Sequence, residues 1–279
     1  MGGAGTSRSA RDVSGASRRD VWWRRAALAL AALVLADLVA QAIRAVWNVE
    51  TGSASDFVAF AGAARLLSAG SHCLYCPSAL AGADAAFLGH SGALGFYAPF
   101  FNPPLAAALL GPLTWLPAPL AIGIFVGIGF AALVLSWLVL VRGLDAPPLA
   151  AWLGVASLPA ALGLAQGQWD PLLLLALVGA LWALDRKPLV AGLLLSALLL
   201  KPQLIWLVPV ALIAMRRWRV LGGLALGAVL WVATTLVLVG PAGAVDWLRA
   251  SLQDGSDSMQ IAPGIPGEVA RLAGSGAGW

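Results

Sequence analysis

An aspartate, a Gln-Gly-Gln-Trp-Asp-Pro turn and a Lys-Pro pair are the places in this 279-residue chain where a proton or a negative charge can be handled. Asp56 opens the stretch Ser55-Asp-Phe-Val-Ala-Phe-Ala-Gly-Ala-Ala-Arg-Leu-Leu-Ser-Ala-Gly70. The pattern predicts a short amphipathic helix lying on the outer surface of a membrane, closed by Gly70 as a C-terminal cap. A carboxylate there can take a proton from an acceptor hydroxyl. It can equally be a helix N-cap favoured by the dipole, and the two roles do not exclude each other. Gln166, Gln168 and Asp170 place three hydrogen-bonding side chains inside a long apolar stretch. As an ordinary interfacial turn, Asp170 before Pro171 is good turn chemistry; two glutamines and a carboxylate between two short apolar helices equally suit the lining of a cavity. Lys201 interrupts the apolar run 188–215, where a lone ammonium is costly unless it is paired, reaches the headgroup layer or meets an anion such as a lipid phosphate. Asn102 belongs to Phe96-Tyr-Ala-Pro-Phe-Phe-Asn-Pro-Pro104, which either anchors a span at the interface or shapes a pocket mouth for a sugar or prenyl chain. His72-Cys73-Leu-Tyr-Cys76 resembles a metal site only superficially. Beyond His90 the loop offers few further ligands, so a disulfide or a pair of free thiols is expected and no metal is assigned.

What must hold these residues is a bilayer. The chain is 60% hydrophobic and 11% charged, against about 25% charged in soluble domains, and its mean hydropathy is +0.86. No Asp, Glu, Lys or Arg stands between Asp84 and Arg142, nor between Val220 and Val245. Only lipid favours such stretches, which excludes a soluble globular domain of any size. The formal charge of +4 does not indicate nucleic acid, because the arginines sit at the ends of apolar runs rather than along a stripe. No Gly-rich phosphate-binding fingerprint follows a strand, so no soluble nucleotide-sugar site is expected.

The expected architecture is an all-α polytopic bundle. Residues 1–25, with Arg8, Arg11, Arg18, Arg19, Arg24 and Arg25, form a basic cytoplasmic tail expected to be disordered. The apolar run 26–46 is longer than a secretory signal core and reads as an uncleaved first span. Segment 47–102 carries one arginine against Glu50, Asp56 and Asp84, as an extracytoplasmic loop should. Apolar runs recur at 103–117, 119–141, 149–165, 171–184, 188–200, 202–215 and 220–240. Within the span-containing region 26–240 they amount to roughly seven or eight spans or half-spans, since a full crossing takes about 20 residues. Residues 241–279 are expected to be a polar extracytoplasmic tail or truncated loop. Charge leaves one point open: Arg186-Lys187 and Arg216-Arg217-x-Arg219 both ask for the cytoplasm, yet one kinked crossing over 188–215 would separate them. Either that stretch is a hairpin or one cluster lies outside.

These residues carry a resemblance. An outer-loop Asp before a helix ending Arg-Leu-Leu-x-x-Gly, a Phe-x-Asn-Pro-Pro segment, a Gly-Gln turn, the small-residue run Ala191-Gly-Leu-Leu-Leu-Ser-Ala197 before Lys-Pro, and the Arg-Arg-Trp-Arg cluster resemble glycosyltransferase family 87 over about residues 26–239. The resemblance implies a bundle of the GT-C superfamily. It implies a polyprenyl-phosphate sugar as donor, with mannose expected, and a lipid-linked or cell-envelope glycan as acceptor. The reaction is expected outside the cytoplasmic membrane, with the N-terminus inside. It places the catalytic base on Asp56, while Gln168 and Lys201 match recurrent family features. In the expected inverting reaction Lys201 and Arg65 stabilise the departing phosphate, and Gln166, Gln168, Asp170 and Asn102 bind substrate. Family members are longer than this chain, which implies a fragment, an inactive remnant or half of a split enzyme. The competing class is a transporter or a structural partner of an envelope-synthesis complex. Against a transporter stand the lack of paired halves and the long outer loop.

Overall fold

A computed structural model describes residues 9–50, 56–71, 73–89 and 99–257, and every regular element among them is a helix. A backbone in an apolar medium must satisfy its polar groups within the segment, and the helix does so. The elements are α1 (Ser9–Glu50), α2 (Asp56–Ser68), α3 (Pro77–Leu88), α4 (Pro104–Leu110) with a 3-10 turn over Gly111–Trp115, α5 (Ala118–Gly143), α6 (Pro148–Val155), α7 (Leu158–Ala165), α8 (Asp170–Ala183), α9 (Pro188–Ser196) extended by a 3-10 turn to Leu200, α10 (Leu207–Ala214) and α11 (Trp218–Asp257). Proline occupies the first or second helical position of every one from α3 to α9. There its missing N–H costs nothing and its fixed φ suits the helix.

Among the described residues three helical stretches are long and apolar enough to cross a membrane, Val21–Trp47, Ala118–Gly143 and Trp218–Ser251, or four if the pair α6–α7, bent by 42°, is one broken span. The other apolar helices among the described residues are shorter, 17 residues or fewer, and the expected count of seven or eight spans stays an expectation. Three expectations need correction. First, α1 begins at Ser9, inside the segment expected to be disordered. Second, α2 does not lie on a surface: Phe57 to Ala64 are all buried. Those eight residues are apolar on every side, with polar groups only at the ends, and a helix of that kind belongs in a core. Third, the polar tail starts as helix: α11 breaks at Gly240, with φ 68°, and resumes at Pro241 as far as Asp257. Proline starts a helix as readily as it ends one, and Trp247 and Ser251 of the resumed segment meet the Phe101 carbonyl. Residues 258–279, His72, His90 and Phe96 to Ala98 lie outside the described residues. Gly70 closes α2 as expected, with φ 72° and the Ser71 N–H on the Leu66 carbonyl.

The bundle has two chemically distinct ends. At one, the Phe57 N–H reaches the Gln166 carbonyl, Lys201 meets Asp170, and the Asn102 amide meets the Leu200 carbonyl. At the other, Arg186 donates to the Gly143 carbonyl and Arg217 pairs with Asp185. The second pairing resolves the conflict of charges. α9 leaves the basic end, the Lys201-Pro202-Gln203 corner turns at the far end, and α10 returns, so 188–215 is a hairpin with both cationic clusters on one side.

The small-residue run on α9 has a packing reason. A Cβ on Gly192 would sit 2.1 Å from the Val220 carbonyl oxygen, one on Gly223 would sit 2.2 Å from that of Leu189, and one on Gly227 would meet the Ser196 hydroxyl. Gly192-x-x-x-Ser196 and Gly223-x-x-x-Gly227 therefore form a close seam between α9 and α11, where small residues let backbones touch. Gly192→Val is expected to lower stability by about 2 kcal/mol or more, read as a fall in thermal midpoint in detergent. Gly222→Ala, one residue off the seam where a Cβ meets open space, should be neutral or slightly stabilising.

Candidate functional site

At the polar end of the bundle four of the candidate side chains converge. Asp56 is the first residue of α2, and Gln168 donates its side-chain amide to the Asp56 carboxylate. Asp170 opens α8, and its carboxylate takes a 2.7 Å ion pair from Lys201 at the hairpin corner. The close approach rests on Gly167. Its φ is 65°, and a Cβ there would lie 2.7 Å from that of Phe57. Only glycine both adopts that backbone and leaves room for α2. The turn then presents the Gln166 carbonyl to the Phe57 N–H at 3.3 Å and the Gln168 amide to Asp56.

Burial pushes the Asp56 carboxyl above the usual carboxylate range; the Gln168 hydrogen bond and the Lys201 charge pull it down, and the Asp170 charge raises it. A carboxylate so held is a stronger base than one in water. Two buried polar atoms beside it have no partner among the described residues, the Gln168 carbonyl oxygen and the Trp169 indole N–H. A buried donor or acceptor left unmade costs about 1–3 kcal/mol, so both atoms have capacity for a ligand hydrogen bond. Trp169 stands on Phe60 and Phe125, with ring centroids at 6.2 and 5.1 Å. The sequence reading passed over it, because an aromatic in an apolar chain reads as core; the clue was its place between Gln168 and Asp170.

The remaining candidates are spread differently. The Asn102 side chain is spent on the Leu200 carbonyl, one residue before Lys201, and thereby ties the start of α4 to the hairpin corner. Its own carbonyl accepts from the Tyr75 hydroxyl, whose ring stacks on Phe100 at 5.6 Å. Tyr75 is held there by a disulfide between Cys73 and Cys76, which settles the choice between disulfide and free thiols. Gln166 is exposed, and its backbone carbonyl joins the cluster by accepting the Phe57 N–H. Arg65 is exposed in the last turn of α2, about 13 Å along the axis from Asp56, and is not brought into the cluster. Among the described residues no group of three or more His, Cys, Asp or Glu could hold a metal.

A second carboxylate was missed altogether. Asp84 of α3 is 3% exposed and packs against α2 at Gly62, where a Cβ would collide with its Oδ1. That oxygen has no partner among the described residues, and burial pushes the carboxyl up to about 7. A folded value raised from 3.8 to about 7 means that stability is full below about pH 4 and falls as pH rises to 7, by about 4 kcal/mol at most. Asp84→Asn is expected to remove that slope, leaving the thermal midpoint unchanged near pH 4 and raised at pH 8. Thermal scans in detergent across this range check it, and an identical slope in both proteins would refute it.

Residues 100–279 match the model of a known family, Glycosyltransferase family 87. Asn102, Gln166, Gln168, Asp170 and Lys201 lie within the matched segment, and Asp56 and Arg65 precede it. No curated protein and no solved structure matches the chain.

Proposed function

Because the chain belongs to glycosyltransferase family 87, we propose that it transfers a sugar, with mannose expected, from a polyprenyl-phosphate donor to a lipid-linked or envelope glycan acceptor, with inversion. The observation that carries this reading is the meeting of Asp56, Gln168, Asp170 and Lys201 at one end of an apolar bundle. Asp56 takes the proton of an acceptor hydroxyl as its oxygen bonds to the anomeric carbon. The bond from that carbon to the phosphate oxygen breaks on the opposite face, and its electron pair leaves with the phosphate. Lys201 stabilises the charge that develops there. The Gln168 carbonyl oxygen and the Trp169 N–H hold sugar hydroxyls, the arrangement their lack of protein partners favours.

An apolar groove of about 220 Å³ supports a lipid donor. It runs between the start of α4 and the two limbs of α11, lined by Pro103, Leu199, Trp231, Val232, Trp247 and Leu248. Pro103 adjoins Asn102 and Leu199 lies two residues before Lys201, so a chain in the groove would bring its phosphate to the lysine. We place this end outside the cytoplasmic membrane. The opposite end gathers Arg142, Arg186, Lys187, Arg216, Arg217 and Arg219, as a cytoplasmic face does, and a disulfide in the first loop suits an oxidising compartment. Membranes containing the protein, given radiolabelled polyprenyl-phosphate mannose, are expected to move label into a lipid or glycan fraction. Transfer from a soluble nucleotide sugar with no lipid donor present would sink the proposal.

A further inference from the structure

The basic end of the bundle holds a pocket that the proposed reaction does not use. The end of α8, the start of α9, the end of α10 and the start of α11 meet around a cavity of about 390 Å³ lined by Asp185, Arg216, Arg217, Trp218 and Arg219. The Arg217 side chain is taken by Asp185, while the Arg216 and Arg219 guanidinium groups have no hydrogen-bond or ion-pair partner among the described residues. Three guanidinium groups against one carboxylate leave two positive charges facing one cavity. The backbone adds an independent sign. Arg216 has φ 55°, and the Arg217 N–H reaches back to the Leu212 carbonyl, so an arginine holds the left-handed capping position that glycine fills at lower cost. Strain of this kind, kept in a cavity wall, points to use of the side chain. The surroundings define the ligand. Leu189, Met215 and Trp218 beside the pocket are more than half exposed, so its rim is apolar and its interior cationic.

We propose that this cavity binds the phosphodiester headgroup of an anionic phospholipid, with the acyl chains lying over Trp218, Met215 and Leu189. Arginine suits the planar, two-oxygen face of a phosphate better than lysine does, and a basic pocket between helix ends is a known form of headgroup recognition. The site needs only that the bundle sits in a bilayer, so its failure would leave the transferase reading untouched. Native mass spectrometry of the detergent-purified full chain, with phosphatidylglycerol and phosphatidylcholine of matched chains, tests it. Phosphatidylglycerol should be retained at least about tenfold better, and Arg216→Gln combined with Arg219→Gln should reduce its retention on the order of ten- to thirtyfold. Arg216→Gly, which suits the backbone, should keep or raise the thermal midpoint yet still lose phosphatidylglycerol severalfold, separating binding from folding. Equal retention of the two lipids, unchanged retention in the double variant, or displacement by millimolar inorganic phosphate would each overturn the assignment, the last in favour of a soluble phosphate.

Discussion

Replacing Asp56 by Asn is expected to lower sugar transfer by about three orders of magnitude without loss of fold, within the range of about 10²–10⁴ that a positioned general base supplies. The asparagine keeps the size of the side chain and an oxygen to accept the Gln168 amide, so α2 stays where it is; only the ability to take a proton is lost. The pH profile gives the second arm of the test. The base must be ionised to act, so kcat/KM of the wild type falls about tenfold per unit as pH drops below the Asp56 value. Burial holds that value above the ordinary carboxylate range, so the acid limb should lie at higher pH than an ordinary aspartate would give. In the Asn variant the residual rate should lose the limb altogether. Full transfer by Asp56→Asn in membranes would remove Asp56 from the mechanism. Since Asp56 precedes the segment that matches the family, such a result would leave the family membership standing.

How much of this was legible beforehand follows from what each residue was surrounded by. Gln166 to Asp170 and Lys201 stood out because polarity inside an apolar run is costly, and the fold brings Gln168, Asp170 and Lys201 together at the polar end of the bundle. Asp84 did not stand out, because one aspartate in an Ala-rich helix of a polar loop reads as solvated; its burial depends on Gly62, more than twenty residues earlier. α2 was misplaced for a related reason. Its charged ends suggested an amphipathic surface helix, whereas the eight residues between them have no polar face. The hairpin of α9 and α10 was open on charge alone, since the rule for cytoplasmic cations states a preference and not a path. The Asp185–Arg217 pair, a contact between distant segments, decides it. Periodicity reports local structure, and such long-range pairings leave no mark on it.

Lys201 and Asp170 are expected to move the acid limb in opposite directions, which separates an electrostatic role from a structural one. Lys201 lowers the Asp56 value and Asp170 raises it. Lys201→Met leaves two carboxylates facing each other without a cation, so the limb should shift to higher pH. Transfer at its plateau should fall by about 10²–10³ through the lost stabilisation of the departing phosphate. Asp170→Asn removes the repelling charge and releases the ammonium toward Asp56 and the phosphate, so the limb should shift to lower pH and the plateau rate should change far less. Both side chains are partly exposed, 18% for Lys201 and 39% for Asp170, so solvent screens the pair and its loss should cost about 1 kcal/mol of stability. The double variant, Lys201→Met with Asp170→Asn, should return the limb near its original place while keeping the loss in rate. That combination follows only if the lysine acts on the leaving group and the aspartate acts through charge. Shifts of the same sign in both single variants would mean that each merely holds the hairpin corner in place.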